Sequence, residues 1–436
     1  MWLLPVLSGL SRFTAHTFYR LTVAGEAVPS EGSVLLIANH PNSLVDAMFV
    51  ATAAGRPVRF LAKSTLFRHP AVGFLVRGSG AIPVYRRVDD PGRMELNVDM
   101  FSAVHAALAG GSAVALFPEG VSHSEPALMP LKSGAARMAF GALEAGAAPF
   151  PIIPIGIVLR ARETFRSEAL VVVGAPIVWD ELRGTSDHRE AVGSLTKRMD
   201  AALRQVTVNL ERWEDQPMVE AAEAVWAAEV GASEDEADRL ARLERTADLL
   251  HTVRGREEVE WRALARRVQT HRQKLALLGL TPRALTGTVS VAQAARWTVR
   301  RLPLVGAMVV AGIGSVLFWP PYRLIGWQDR RQVLERDVRA THKLMGGAVV
   351  MVGWIVALAA VAGVAWGIVG TLVALVLLPL LGLATVWLRD WWGASWRQAR
   401  RFVLLRRQPA LRADLGAEQR AIAEALEGIN RRYPAA

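Results

Sequence analysis

From Leu344 to Leu388 the chain runs for 45 residues without a charged side chain. A helix needs roughly 20 apolar residues to cross a bilayer. Backbone in hydrocarbon must satisfy its own hydrogen bonds, and a helix does so. The stretch therefore predicts two spanning helices joined by a tight turn near "GVAWGIVG", residues 363–370. Six basic residues from Arg323 to Lys343 precede it, four from Arg389 to Arg401 follow it, and the turn has none. Positive charge is retained on the cytoplasmic side. Both ends of the hairpin are thus predicted to be cytoplasmic, in the inner membrane, with the turn outside.

A second apolar stretch, "LPLVGAMVVAGIGSVLFWPPY" (302–322), is also long enough to span. Arg296, Arg300 and Arg301 precede it and the Arg323–Lys343 cluster follows it, so a single crossing would push one cluster outside. Pro320 and Pro321 also stop a helix. The pattern favours a re-entrant or interfacial segment. The N-terminus, "MWLLPVLSGLSRFTAHTFYR", lacks the basic start and small-residue cleavage site of a signal peptide. Its Leu3, Leu7, Leu10, Phe13 and Phe18 predict a short amphipathic helix lying on the membrane or on the protein.

The net charge of +11 on a chain that is 52% hydrophobic points to anionic membrane lipids. Trp391, Trp392 and Trp396 stand where indoles favour the interface. The absence of cysteine excludes disulfides and thiolate metal sites, and the nine histidines show no ligand spacing, so no metal is expected. Base-reading motifs and interleaved aromatic and basic residues are missing, which argues against nucleic acid.

Residues 30–180 alternate apolar runs with helical patterns. Strands are predicted at Val34–Ala38, Arg59–Ala62, Ala81–Tyr85, Ala113–Pro118, Ile152–Ile157 and Leu170–Val173. Helices are predicted at Leu44–Ala54, Arg93–Ala109 and Ser133–Ala145. The result is an α/β domain, a mostly parallel sheet flanked by helices, whose ligands belong at the carboxyl ends of the strands. The predicted layout is an interfacial helix over 1–24, the α/β domain over 25–180 and a helical appendage over 181–300. A membrane region over 301–392 and a basic helical tail over 393–436 complete it.

At the end of the first strand, "LLIANHPNSLVDAMFV" sets His40 and Asp46 on either side of a strand-to-helix turn. The spacing predicts Asp46 in the second helical turn. A carboxylate on one imidazole nitrogen leaves the other free as a general base. The bland alternative is a cap and a surface charge. Three further stretches weigh against it. "GSGAIPVYRR" brings Arg86 and Arg87 to a strand end, "ALFPEGVSHSEPALMPLKSGAARMA" does so for Glu119, and "PIIPIGIVLRARETFRSEALVVVGAPI" supplies two apolar strands.

At these points the sequence resembles the glycerolipid acyltransferase family, which includes glycerol-3-phosphate and 1-acylglycerol-3-phosphate acyltransferases. His40 and Asp46 resemble its first block, Gly80 with Arg86 its second, Phe117–Pro118–Glu119–Gly120 its third, and Pro154 with Ile155 its fourth. Five residues separate His40 from Asp46 where the family commonly has four, and Val121–Ser122–His123 replaces the usual Thr-Arg-Ser. Both departures resemble the branch of fungal-type glycerol-3-phosphate and dihydroxyacetone-phosphate acyltransferases and their bacterial relatives. The resemblance implies direct acyl transfer from an acyl-CoA or acyl-carrier-protein thioester, with no other cofactor. The acceptor is a phosphorylated glycerol, with glycerol-3-phosphate ahead of a lysophospholipid. His40 and Asp46 become the catalytic pair, and amides at the start of the following helix become oxyanion donors. Arg86, Arg87, Lys63 and Lys132 are expected to hold the phosphate, with Gly120 beside the acceptor and Glu119 orienting there by bonding the acceptor hydroxyls or Arg86. His123 reads as a polar loop residue. A non-catalytic lipid-binding scaffold is the alternative of another class.

Overall fold

Every residue of the run Val34–Ala38 is buried, and Leu35, Leu36 and Ile37 expose nothing. Such a run suits a strand covered on both faces. It is β2 of a seven-stranded sheet. The other strands are β1 (Arg20–Gly25), β3 (Val58–Lys63), β4 (Ile82–Val84), β5 (Ala113–Leu116), β6 (Ile152–Leu159) and β7 (Glu168–Val173). Their order is β1-β7-β6-β2-β5-β3-β4, and all pairs are parallel except β6 with β7. This computed structural model describes residues 3–69, 72–86, 89–184, 187–287, 291–331 and 336–433. They fall into two units, the first built mainly from residues 1–211.

The first unit is the α/β domain. Helices Leu44–Ala54, Asn97–Ala109 and Gly134–Glu144 connect its strands. Helix His188–Gln205 adds Leu195, Met199 and Leu203 to the same core. The Asp187 carboxylate accepts from the amides of Arg189 and Glu190 and caps that helix. Gly156 in β6 is required by close approach, because a Cβ there would collide with the Val206 carbonyl. The N-terminal helix, Leu4–Phe18, packs on helix Leu44–Ala54, and its Ala15 is buried. Val6, Leu10 and Phe13 remain exposed on it. Strand β1 alternates Leu21 and Val23 with polar or small residues in a half-exposed edge position, and so has no apolar run to announce it.

The second unit is helical. Helices Gln216–Glu229, Glu258–Leu278, Pro282–Thr286 and Pro409–Arg432 pack together, with Leu275, Leu280, Leu285 and Leu415 forming part of their core. The uncharged stretch lies in the long helix Arg336–Arg407, which is broken at Trp366 and Gly367; Gly367 has φ of 66°. The chain reverses there. Trp354 Nε1 donates to the Leu317 carbonyl at 3.1 Å, while Gly382 lies against Phe318 and Gly314 against Thr385. Residues 354 and 385 would be about 46 Å apart in one straight helix, yet both touch residues 314–318. Helix Val291–Leu317 runs antiparallel to the second arm, as Trp297–Gln398 and Arg301–Ser395 also show. Helix Trp319–Arg331 returns along the first arm, with Ile325 near Gly347 and Asp329 3.1 Å from Lys343. The two shorter helices therefore form a second reversal with its apex at Phe318.

Candidate active site

The strands β2, β5, β3 and β4 are neighbours and parallel, so their carboxyl ends line one edge of the sheet. In that order they deliver His40, then Glu119 with Gly120, then Lys63, then Arg86. This is where an open α/β sheet places a ligand.

Asn39 extends β2 by a side-chain clasp: its Oδ1 accepts from the Ile157 amide at 2.7 Å and its Nδ2 donates to the Ile157 carbonyl at 3.0 Å. His40 follows. Its Nδ1 lies 2.8 Å from Asp46 Oδ2, which also accepts from the Asn42 amide at 2.6 Å. The helix begins only at Leu44, so Asp46 stands in its first turn and not, as the spacing predicted, in the second. Residues 41–43 make a loop in which Ser43 takes a positive φ of 52°. That loop also consumes the amides expected at the oxyanion: Asn42 N–H goes to Asp46 and Ser43 N–H to Ser122 Oγ at 3.1 Å.

Asp46 is wholly buried, and burial pushes its carboxyl above the ordinary range, against the opposing pull of His40, the Asn42 amide and Arg162. Its Oδ1 and the Oδ1 of Asn42 have no hydrogen-bond partner among the described residues. Phe117 stacks on the His40 ring at 3.9 Å between centroids and 7° between planes, which fixes the imidazole plane. His40 Nε2 has no partner among the described residues, and the side chain keeps 16% exposure, enough to meet a ligand.

A raised carboxyl pKa has a signed consequence. The folded chain binds this proton more tightly than the unfolded chain, whose Asp ionises at about 3.9. The contribution of Asp46 to stability is greatest below the ordinary carboxylate range and declines as pH rises through the raised value. Asp46→Asn should flatten that part of the stability–pH curve in thermal melts; an unchanged slope would contradict the burial argument.

Glu119 is 2% exposed and fully engaged inside the protein. Oε1 accepts from the His40 amide at 2.8 Å, and Oε2 accepts from the Met129 amide at 2.8 Å and meets His123 Nε2. Its oxygens are thus turned to the loops around His40. Arg86 Nη1 reaches the Gly120 carbonyl at 3.4 Å, and its Nε donates to Asp89. The Lys132 side chain lies over Gly120, where a Cβ would collide with it. Gly120 itself has φ of 78°, so glycine is needed on both counts. Arg86 holds the Asp89 carboxyl below its usual range, with Lys63 adding to the effect. Two cations therefore converge on Gly120, one residue from the group that bonds His40, with Lys63 near Asp89. Arg87 lies outside the described residues.

Several contributors carried no sequence signal. Tyr19 is fully buried; its hydroxyl donates to the Arg162 carbonyl and accepts from Asn42 Nδ2 at 3.1 Å. Arg162 Nη1 bridges the Pro41 carbonyl at 3.1 Å and the His123 carbonyl at 3.3 Å.

The model of the Acyltransferase family matches residues 20–158. Over 134 residues the chain is 34% identical to glycerol-3-phosphate O-acyltransferase 2 of Saccharomyces cerevisiae, a match that covers 30% of this chain and 18% of that protein. Over 142 residues it is 27% identical to the chloroplastic 1-acyl-sn-glycerol-3-phosphate acyltransferase LPAT1 of Arabidopsis thaliana, covering 32% of this chain and 37% of that one. The chain thus spans less than a fifth of the yeast relative and little more than a third of the plant one. The crystal structure of the 1-acyl-sn-glycerophosphate acyltransferase PlsC from Thermotoga maritima is similar with a TM-score of 0.35 and 21% identity, over 47% of this chain and 78% of that chain.

Proposed function

We propose that this chain, whose residues 20–158 match the model of the Acyltransferase family, transfers a fatty acyl group from a thioester to a hydroxyl of glycerol-3-phosphate. The observation that carries the reading is the free Nε2 of His40, whose Nδ1 is held by a buried carboxylate, one residue along the Glu119–Gly120 link from two cations.

His40 Nε2 takes the proton of the acceptor hydroxyl as that oxygen attacks the thioester carbonyl. The tetrahedral intermediate collapses, the C–S bond breaks, and the proton passes from His40 to the departing thiolate. No acyl-enzyme forms. Asp46 contributes most while the imidazolium exists, because its poorly solvated charge is then neutralised. That gain belongs to the transition state and not to the bound substrate. Arg86 and Lys132 hold the acceptor phosphate, Arg86 by a two-pronged contact that requires it to exchange Asp89 for the ligand. Glu119 holds the loop that bears His40. The domain works on the cytoplasmic face of the membrane that the apolar helices enter, with acyl-CoA or acyl carrier protein as the donor.

The name of the yeast relative favours glycerol-3-phosphate and that of the plant relative a lysophosphatidate acceptor. Purified protein given labelled acyl-CoA and a panel of glycerol-3-phosphate, dihydroxyacetone phosphate and lysophosphatidate separates them. Highest kcat/KM for glycerol-3-phosphate is expected; highest for lysophosphatidate would move the assignment, and acylation of none would end it. Arg86→Ala should raise the acceptor KM on the order of tenfold or more while sparing that of the thioester, and Arg86→Lys should restore only part, since the paired geometry is lost. A change confined to the donor KM would reassign Arg86 to the thioester side.

A further inference from the structure

His123 stands in the loop after β5, at a position where the sequence suggested only a polar loop histidine. Its Nδ1 accepts from the Glu125 amide at 3.1 Å. A backbone amide can only donate, so Nδ1 carries no proton and the proton sits on Nε2. Nε2 faces Glu119 Oε2 and therefore donates to it. The other oxygen of that carboxylate accepts from the His40 amide at 2.8 Å. The His123 amide in turn donates to the His40 carbonyl at 3.2 Å. Both backbone groups of His40 are thus bonded to one five-residue segment, one directly by His123 and one through Glu119. Ser122 joins the same two loops through Ser43, at 3.1 and 3.2 Å.

We propose that His123 is a positioning residue for the catalytic base: by donating from Nε2 to Glu119 it fixes the backbone of His40, and with it the alignment of the imidazole between Asp46 and the acceptor. The inference rests on the acyl-transfer reading for the identity of the base, but not for the geometry of the brace. Its physical content is orientation. A buried carboxylate that loses one of three donors re-aims toward the remaining ones, and a shift of about 1 Å at a catalytic group costs on the order of 10²-fold in rate.

Two variants separate donation from mere occupancy. The amide nitrogen of glutamine occupies the place of a histidine Nε2, whereas asparagine reaches only the place of Nδ1. His123→Gln should keep kcat within about tenfold of wild type. His123→Asn should lower kcat on the order of 10²-fold, with both KM values within a factor of about two. The second readout is independent of acyl transfer: the rate at which diethyl pyrocarbonate modifies His40, followed by mass spectrometry of its peptide. That rate should be changed by Asn and retained by Gln. Equal kcat and equal labelling in the two variants would overturn the brace, as would an effect confined to the acceptor KM. If the Asn variant does not fold, the Gln variant alone decides, and a fall of more than about tenfold in its kcat refutes the proposal. If wild type acylates no acceptor, the function falls, while His40 labelling still tests the brace.

Discussion

His40→Ala is expected to lower acyl transfer by about 10²–10⁴-fold, the range that a positioned general base supplies, in protein that still folds and inserts. The expectation of intact folding comes from burial. His40 lies beyond the end of β2, partly exposed, and its backbone contacts to Glu119 and His123 do not involve the ring. The core strand behind it, Val34–Ala38, is untouched. Both KM values should stay near wild type, because Nε2 acts on the reacting hydroxyl and not on the phosphate. Asp46→Asn should be severe but milder. An amide oxygen can still accept from His40 Nδ1 and the Asn42 amide, so the ring stays aligned, but it carries no charge to neutralise the imidazolium. The substitution should also remove the cost of a wholly buried carboxylate, so lost activity should come with retained or higher thermal stability, a trade expected where a strained group serves chemistry. Wild-type turnover in the His40 variant, measured with labelled acyl-CoA and glycerol-3-phosphate, would remove His40 from the mechanism altogether.

What the sequence made legible follows the physics of each element. Helix Leu44–Ala54 and strand Val34–Ala38 have the bounds that their apolar patterns predicted, since both lie in the interior, where pattern and burial coincide. Helices Asn97–Ala109 and Gly134–Glu144 differ from their predicted bounds by a few residues at most; ahead of the former the predicted helix is replaced by 3₁₀ turns over Pro91–Leu96, kinked at Arg93. Strand β1 was invisible because an edge strand with polar alternate positions has no reason to be apolar. The approach of Arg86 to Gly120 follows from strand ends in one sheet, which block order foreshadows. The supports of the site were not legible in the same way. Asn39 reaches Ile157, Tyr19 reaches Arg162, and Arg162 reaches back to Pro41, each across more than a hundred residues. Glu119 illustrates the limit best. Its residue type and position were readable, but whether its carboxylate faced a ligand or the His40 amide depended on where two distant loops met. The one local clue was His123, four residues on, near enough to fold back onto that carboxylate.

The apolar helices make the other large prediction, which is all-or-none. We infer that the stretch Leu344–Leu388 crosses the membrane twice and that helices Val291–Leu317 and Trp319–Arg331 enter from the cytoplasmic side without crossing. The exposed Val349, Val352, Val361, Val364, Leu372 and Val376 give the long hairpin an apolar surface that hydrocarbon would satisfy. The apex at Phe318 is level with Trp354 and Gly382. At 1.5 Å per residue it lies about 20 Å short of the reversal at Gly367, in a bilayer core about 30 Å thick. The shorter pair therefore reaches roughly one leaflet deep. Trp327 and Arg331 stack at 3.8 Å near its exit, a pairing suited to an interface that is apolar on one side and anionic on the other. The chain has no cysteine of its own, so single reporters are clean. Gly367→Cys should be labelled in intact cells by an impermeant maleimide, while Gln328→Cys and Ala410→Cys should be labelled only after lysis. A spin label at Trp319→Cys should report the same depth as one at Gly353→Cys, well short of the far headgroups. Labelling of Gln328→Cys from outside would mean that the first pair does cross, and the second hairpin, whose flanking charges match at both ends, would then have to lie with its basic ends on the wrong side of the membrane.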